Sequence, residues 1–133
     1  MLADQATKAA AIAALSQRPT TPVVPGFFHL TLVLNPGVAF GWFGQCGFWV
    51  TAAALAIVGW LLLSLMRRKE PDRDGMIPLA IILGGAVGNL VDRLRVGSVV
   101  DFLDFRVWPV FNVADSCITI GVILMVWNLV TRR

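Results

Sequence analysis

Four of the chain's eight acidic residues, Asp92, Asp101, Asp104 and Asp115, fall between positions 92 and 115. Two of them close the same tetrapeptide, Asn89-Leu90-Val91-Asp92 and Asn112-Val113-Ala114-Asp115. On a helix, positions i and i+3 share a face, so each copy sets an Asn and an Asp on one side. A structural reading suits both: Asn112 as N-cap with Asp115 at N3, and Asp92 paired with Arg93 to anchor the end of a span. Spacing alone leaves capping and catalysis equally open. Between the copies, an apolar strand-like run within residues 97–105 carries Asp101 and Asp104. Two aspartates from different segments that converge on one water make an aspartic peptidase site. One takes a proton from the water, and the other, protonated, polarises the scissile carbonyl. The spacing permits this chemistry without choosing the pair. Glu70, Asp72 and Asp74 sit together in a charged loop and read as a solvated cluster.

Other chemistries fit the inventory less well. His29 is the single histidine, without an HExxH or Cys/His cluster, so neither a metal nor an organic cofactor is called for. A Cys–His nucleophile would need Cys46 or Cys117 beside His29, and both cysteines lie at or in apolar runs. A Ser–Lys dyad could join Ser98 or Ser116 to Lys8, which keeps Lys8 among the candidate site residues. Gly84-Gly85-Ala86-Val87-Gly88 lacks the Lys-Ser/Thr ending of a phosphate loop, and its Gly84-x-x-x-Gly88 face suits close helix packing.

The elements that must position these residues belong in a membrane. The chain is 57% apolar and 14% charged, with mean hydropathy +0.76, against roughly 25% charge in a soluble domain. Such a composition excludes a soluble monomer, a disordered chain and a disulfide scaffold. Three apolar runs, at 47–66, 76–91 and 110–131, read as transmembrane helices, with Pro78 in the first turn of the second. Arg67, Arg68, Lys69 and Arg73 in one short loop, with Arg132 and Arg133 at the end, put these segments in the cytoplasm and residues 92–109 outside. The same distribution argues for membrane topology over a nucleic-acid patch. Trp42, Trp49, Trp60, Trp108 and Trp127 fall near span ends, as an interfacial belt requires.

Residues 2–16 are Ala-rich and helical in propensity, too short to span, and carry Asp4 and Lys8 at i, i+4. They read as the outer end of a first helix whose beginning is absent. Pro19, Pro22 and Pro25 then break any helix, and Phe28, Leu30, Leu32 and Leu34 alternate with His29, Thr31 and Val33 as in a strand. Asn35-Pro36-Gly37 ends it in a turn, so residues 17–46 form a small β element on the outer membrane surface.

Taken in order, Asp4-Gln5-Ala6-Thr7-Lys8, Asn35-Pro36-Gly37-Val38-Ala39-Phe40-Gly41, the run from Gly84 to Arg93, Val99-Val100-Asp101-Phe102 and Phe111-Asn112-Val113-Ala114-Asp115-Ser116 resemble the lipoprotein signal peptidase (signal peptidase II) family. The resemblance covers nearly the whole chain from Asp4 onward. It implies a single-domain, all-α polytopic membrane protein: a four-helix bundle, here three full spans and a helix stub, with an extracytoplasmic β cradle. It implies a bacterial inner-membrane aspartic endopeptidase that cleaves prolipoproteins just before the diacylglyceryl-modified cysteine. Its partners would be those substrates and membrane lipids, with no nucleic acid, and the enzyme would be a monomer. Asp101 and Asp115 match the family's catalytic dyad, and Asn35, Asn89, Arg93 and Asn112 its site-lining polar residues. Asp4 and Lys8 match the first motif, while Asp92 and Gly37 take structural places. Leu34 stands where many members carry a basic residue. Rival readings are a proton- or ion-translocating subunit using the same carboxylates, and a truncated homologue that folds without cleaving.

Overall fold

A computed structural model describes residues 1–37, 46–67 and 73–131. Trp42, Arg68, Lys69, Glu70, Asp72, Arg132, Arg133 and residues 38–41 of the Asn-Pro-Gly motif lie outside the described residues, as do the side chains of Cys46, Arg73 and Asp74. The elements run α1 (Leu2–Leu15), β1 (Thr20–Val24), β2 (Phe28–Asn35), α2 (Cys46–Met66), α3 (Arg73–Val96), β3 (Val99–Asp104) and α4 (Val113–Thr131).

Three of these helices, over Gly47–Met66, Gly75–Val96 and Val113–Thr131, are long and apolar enough to cross a membrane. Their outward faces carry large apolar side chains such as Phe48, Trp49, Trp60, Ile123 and Trp127, which only lipid can solvate well. Trp108 is also exposed, on the loop before α4. Leu61 of α2 packs with Leu79 and Ile82 of α3 into one apolar cluster.

Small residues bring α3 and α4 into close contact. A Cβ on Gly85 would stand 2.5 Å from the Ala114 carbonyl oxygen, and one on Gly121 would stand 2.5 Å from Ile82 Cγ1. Bare glycines let the two backbones approach where larger side chains would hold them apart. The Gly84-x-x-x-Gly88 face expected to pack against a helix meets α1: a Cβ on Gly84 would reach Met1 N at 3.7 Å, and one on Gly88 the Asp4 carboxylate at 2.5 Å.

Helix α3 is longer than its apolar run. It starts at Arg73 and continues through Asp92, Arg93 and Arg95 to Val96, so residues 92–96 are helix rather than loop. Hydropathy drops after Val91, but Asp92 is held by Gln5, Val100 and Lys8, and the backbone has no reason to unwind there. The helix stops at Gly97, whose φ of 76° suits a glycine C-terminal cap and whose N–H donates to the Arg93 carbonyl at 3.0 Å. Pro78 consequently lies inside the helix and not in its first turn. The hydrogen bond it removes is one to residue 74, close to the helix start, where the loss is tolerable. At the other end of the chain, α4 begins at Val113, three residues after the apolar run does.

The β element is a three-stranded antiparallel sheet in the order β1-β2-β3. Its third strand, Val99–Asp104, comes from the strand-like run within residues 97–105, so the sheet extends beyond the expected 17–46 element to a segment the chain reaches only after two spans. The inward residues of α1 form a stripe, Asp4, Lys8, Ala11 and Leu15. The apolar half of the stripe, Ala11 and Leu15, packs on Phe102 with Leu30, Leu32, Leu103 and Val113 around it. The polar half is thereby carried to the junction of α3, β3 and α4.

Candidate active site

Asp101 is positioned by the sheet. Across the β2–β3 ladder, Asn35 pairs with Val99 and Val33 with Asp101, so Asn35 and Asp101 are diagonal neighbours on one face. The Asn-Pro-Gly turn fixes the amide. Asn35 Oδ1 accepts the Gly37 N–H at 2.9 Å, which turns Nδ2 toward Asp101 Oδ2 at 3.0 Å. Gly37 takes φ +82°, a conformation side chains disfavour, and a Cβ there would stand 2.7 Å from Val50.

Asp115 is positioned by the start of α4. Asn112 Oδ1 accepts the Asp115 N–H at 2.9 Å and Asp115 Oδ2 accepts the Asn112 N–H at 3.3 Å, a reciprocal N-terminal cap of the kind the spacing suggested. The loop before it is stapled to β3: Phe111 donates to the Leu103 carbonyl at 3.1 Å, and its own carbonyl accepts the Leu103 N–H at 2.8 Å. That staple brings Asn112, wholly buried, onto the catalytic-candidate strand.

Asn112 and Asn89 then join the two carboxylates. Asn112 Nδ2 donates to Asp101 Oδ1 at 2.7 Å and to Asn89 Oδ1 at 3.1 Å, and Asn89 Nδ2 donates to Asp115 Oδ1 at 2.7 Å. Lys8 sets the direction of this chain. Its ammonium donates to Asn89 Oδ1 at 2.9 Å, and an ammonium can only donate, so the Asn89 NH2 must face Asp115.

The Lys8 ammonium also lies 3.0 Å from Asp4 Oδ2 and 2.7 Å from Asp92 Oδ2, using its three hydrogens on three acceptors at 2% exposure. A Ser–Lys dyad is not formed: Lys8 is committed to these acceptors, and Ser116 Oγ donates to the Asn112 carbonyl at 3.1 Å. Asp4 reaches further, accepting the Ala114 N–H through Oδ1 at 2.9 Å, so α1 caps α4 in trans. Asp92 accepts the Val100 N–H at 3.1 Å, tying α3 to the strand that carries Asp101. The expected Asp92–Arg93 anchor gives way to these contacts.

Burial, above all, holds Asp101 above the ordinary carboxylate range, and the negative charge of Asp115 adds to this. The Asn35 and Asn112 amides and the Lys8 charge pull the other way and lose. Asp104 is separate from the network. Its carboxylate accepts the Thr31 hydroxyl at 2.7 Å and the Arg106 N–H at 2.8 Å, which hold it below the usual range. Arg93 lines a cavity of about 280 Å³ with Asn89, Ala54 and Ile118, and its buried Nε has no hydrogen-bond partner among the described residues. His29 stays outside the network, paired across the sheet with Asp104.

Residues 1–131 match the family model described as signal peptidase (SPase) II. The chain belongs to the signal peptidase II family. It is 45% identical over 131 residues to the lipoprotein signal peptidase of Pelotomaculum thermopropionicum, covering 97% of this chain and 85% of that one. It is 50% identical over 109 residues to that of Moorella thermoacetica, covering 81% and 72%. A solved structure titled as a bacterial membrane enzyme determined by the in meso method at 1.9 Å resolution superposes with TM-score 0.84 at 30% identity, covering 96% of this chain and 85% of that one. As a signal peptidase II family member with three membrane-long apolar helices, the chain is a multi-pass membrane peptidase of lipoprotein processing.

Gln5 is the participant that sequence reasoning passed over. Its Nε2 lies 2.9 Å from Asp92 Oδ1, 3.1 Å from the Gly88 carbonyl and 3.2 Å from Asp4 Oδ2, which knits α1 to α3. Its place inside the Asp4-to-Lys8 motif was the only signal.

Proposed function

We propose that this chain is an aspartic endopeptidase that removes signal peptides from prolipoproteins by hydrolysis just before the diacylglyceryl-modified cysteine. It would act as a monomer in the bacterial cytoplasmic membrane with its site on the extracytoplasmic side, as the Lys and Arg distribution argues. The observation that carries the reading is the convergence of Asp101, from the sheet, and Asp115, from α4, on one Asn112–Asn89 pair. Two carboxylates so placed hold one proton between them. Asp101, kept above the ordinary carboxylate range by burial, retains that proton and polarises the scissile carbonyl. Asp115 accepts a proton from water, the water oxygen attacks the carbonyl carbon, and the carbon–nitrogen bond breaks as the leaving amine takes a proton. Asn35, Asn89 and Asn112 keep both carboxylates aimed, and Arg93 Nε, without a partner among the described residues, is a donor for the substrate backbone. Asp4, Lys8 and Asp92 hold the elements together beneath them.

The test presents the purified protein with a synthetic lipobox peptide carrying a diacylglyceryl cysteine, and with the same peptide unmodified, and identifies the products by mass. Release of a fragment beginning at the lipidated cysteine is expected from the first alone. Cleavage at another bond, or no preference for the lipidated peptide, would overturn the reading.

A further inference from the structure

Two backbone N–H groups beneath the site are held in the same way. Asp92 Oδ2 accepts the N–H of Val100, the residue just before Asp101, at 3.1 Å. Asp4 Oδ1 accepts the N–H of Ala114, the residue just before Asp115, at 2.9 Å. All four of these residues are buried. A carboxylate therefore grips the main chain immediately ahead of each member of the pair. Gly88 makes the second grip possible. A Cβ there would stand 2.5 Å from Asp4 Oδ2 and 3.5 Å from Ala114 Cβ, so a bare glycine is what lets Asp4 pass α3 and reach α4.

Asp4 and Asp92 are in turn tied to each other twice. The Lys8 ammonium bridges their Oδ2 atoms, at 3.0 and 2.7 Å. The Gln5 amide makes the second tie: its Nε2 lies 2.9 Å from Asp92 Oδ1 and 3.2 Å from Asp4 Oδ2, with the Gly88 carbonyl at 3.1 Å. Val100 and Lys8 both sit on Asp92 Oδ2, so Gln5 is the one donor on Oδ1 among the described residues. Donors on a single oxygen leave a carboxylate free to swing about its Cβ–Cγ bond, whereas a donor on each oxygen fixes its plane.

From these contacts we infer that Gln5 is a positioning residue: with Lys8 it locks Asp92 to Asp4 and so fixes the spacing of the Asp101 and Asp115 backbones. The inference rests on the reading of those two residues as the catalytic pair. The link runs from Val100 through Asp92, Gln5 with Lys8, and Asp4 to Ala114. The Phe111–Leu103 staple joins the same two segments beyond Asp101, and it is a hinge unless their other ends are tied. Spacing governs how strongly the carboxylates repel, and hence how firmly one proton is shared between them.

Gln5 also separates position from charge. The charged groups around the pair are Asp4 and Lys8 on α1 and Asp92, Arg93 and Arg95 on α3, while α2 carries none and His29, Asp104 and Arg106 lie toward the other end of the sheet. Gln5→Met alters none of them. The residue lines a cavity of about 140 Å³ between α1 and α3, which gives the methionine room.

Two measurements test this. Below its own thermal midpoint, Gln5→Met should lower kcat on the lipidated peptide on the order of tenfold to a hundredfold, with KM within about twofold. The alkaline limb of its pH–kcat profile should move downward: burial raises Asp101 most, the Asp115 charge adds to it, and a wider pair loses part of that addition. Unchanged kcat, a loss that falls on KM alone, or a kcat loss with the limb unmoved would each overturn the inference. The second measurement needs no cleavage, so it separates a failure here from a failure of the peptidase reading. Carboxyl-carbon NMR of aspartate-labelled protein, with signals assigned from Asp101→Asn and Asp115→Asn, should show two titration steps that draw closer together in Gln5→Met. Steps of unchanged spacing would overturn the inference whether or not the protein cleaves.

Discussion

Replacing Lys8 with Met keeps the bulk of the side chain and removes the one charge that the Asp4 and Asp92 carboxylates share. Both are buried, at 1% and 6% exposure, and both lie within 3.0 Å of the ammonium. Removing one partner from a buried ion pair costs about 3–5 kcal/mol, and with two carboxylates left facing each other the upper end applies. Against a total stability of about 5–15 kcal/mol, that loss should lower the thermal midpoint by roughly 10–20 °C. Intrinsic tryptophan fluorescence during heating in detergent would measure it. The Lys8→Met/Asp92→Asn double variant removes one of the stranded charges and should recover part of the loss, as a double-mutant cycle can establish. Activity below the new midpoint should also fall, because the Asn89 amide is no longer forced to point its NH2 at Asp115. A Lys8→Met midpoint within about 2 °C of the parent would refute the idea that the ammonium holds this junction together.

Three further outcomes follow from the same geometry. Asn35 donates to the Asp101 carboxylate and so favours its charged form; Asn35→Leu should raise the Asp101 pKa further and move the alkaline limb of the pH–kcat/KM profile upward, whereas a downward shift would contradict the assigned donor. Gly85→Ala should cost about 1–3 kcal/mol and reduce turnover, because the new methyl displaces the Ala114 carbonyl next to Asp115, while Gly59→Ala, whose Cβ would have no atom of the described residues within 4 Å, should leave the midpoint unchanged or slightly raised. Asp104, held below the usual range first by Thr31, contributes stability that is present at neutral pH and lost as pH falls through its lowered pKa; Thr31→Val should therefore lower the midpoint at pH 7, with the difference closing in acid.

The apolar runs and turn signals made the spans, β2 and the strand-like run of β3 legible before any coordinates, because hydropathy and Asn-Pro-Gly act locally, whereas β1, which carries Pro22, read only as a break in helix. The reach of α3 was hidden for the same reason. Past Val91 the sequence turns polar, and only contacts with Lys8, Gln5 and Val100, residues close to it in space, keep Asp92 satisfied within a helix. Capping and membership of the carboxylate network also proved compatible at Asp115: one oxygen closes the cap while the other meets Asn89. Sequence spacing gave the Asp4–Lys8 pair but could not give its partners on α3 and α4. Nor could it tell which glycine admits α4, since Gly84 and Gly85 differ only in the direction that each faces on the same helix.

Asp101 and Asp115, acting as the proton-transferring pair, carry the mechanism. Single-turnover cleavage of the lipidated peptide by Asp101→Asn and Asp115→Asn, with thermal midpoints recorded to establish that each variant is folded, addresses it. General acid–base roles of this kind are worth about 10²–10⁴-fold, so each folded variant should lose at least that much in rate. Cleavage by either folded variant at the parent rate would contradict the assignment of that residue and, with it, the shared-proton mechanism.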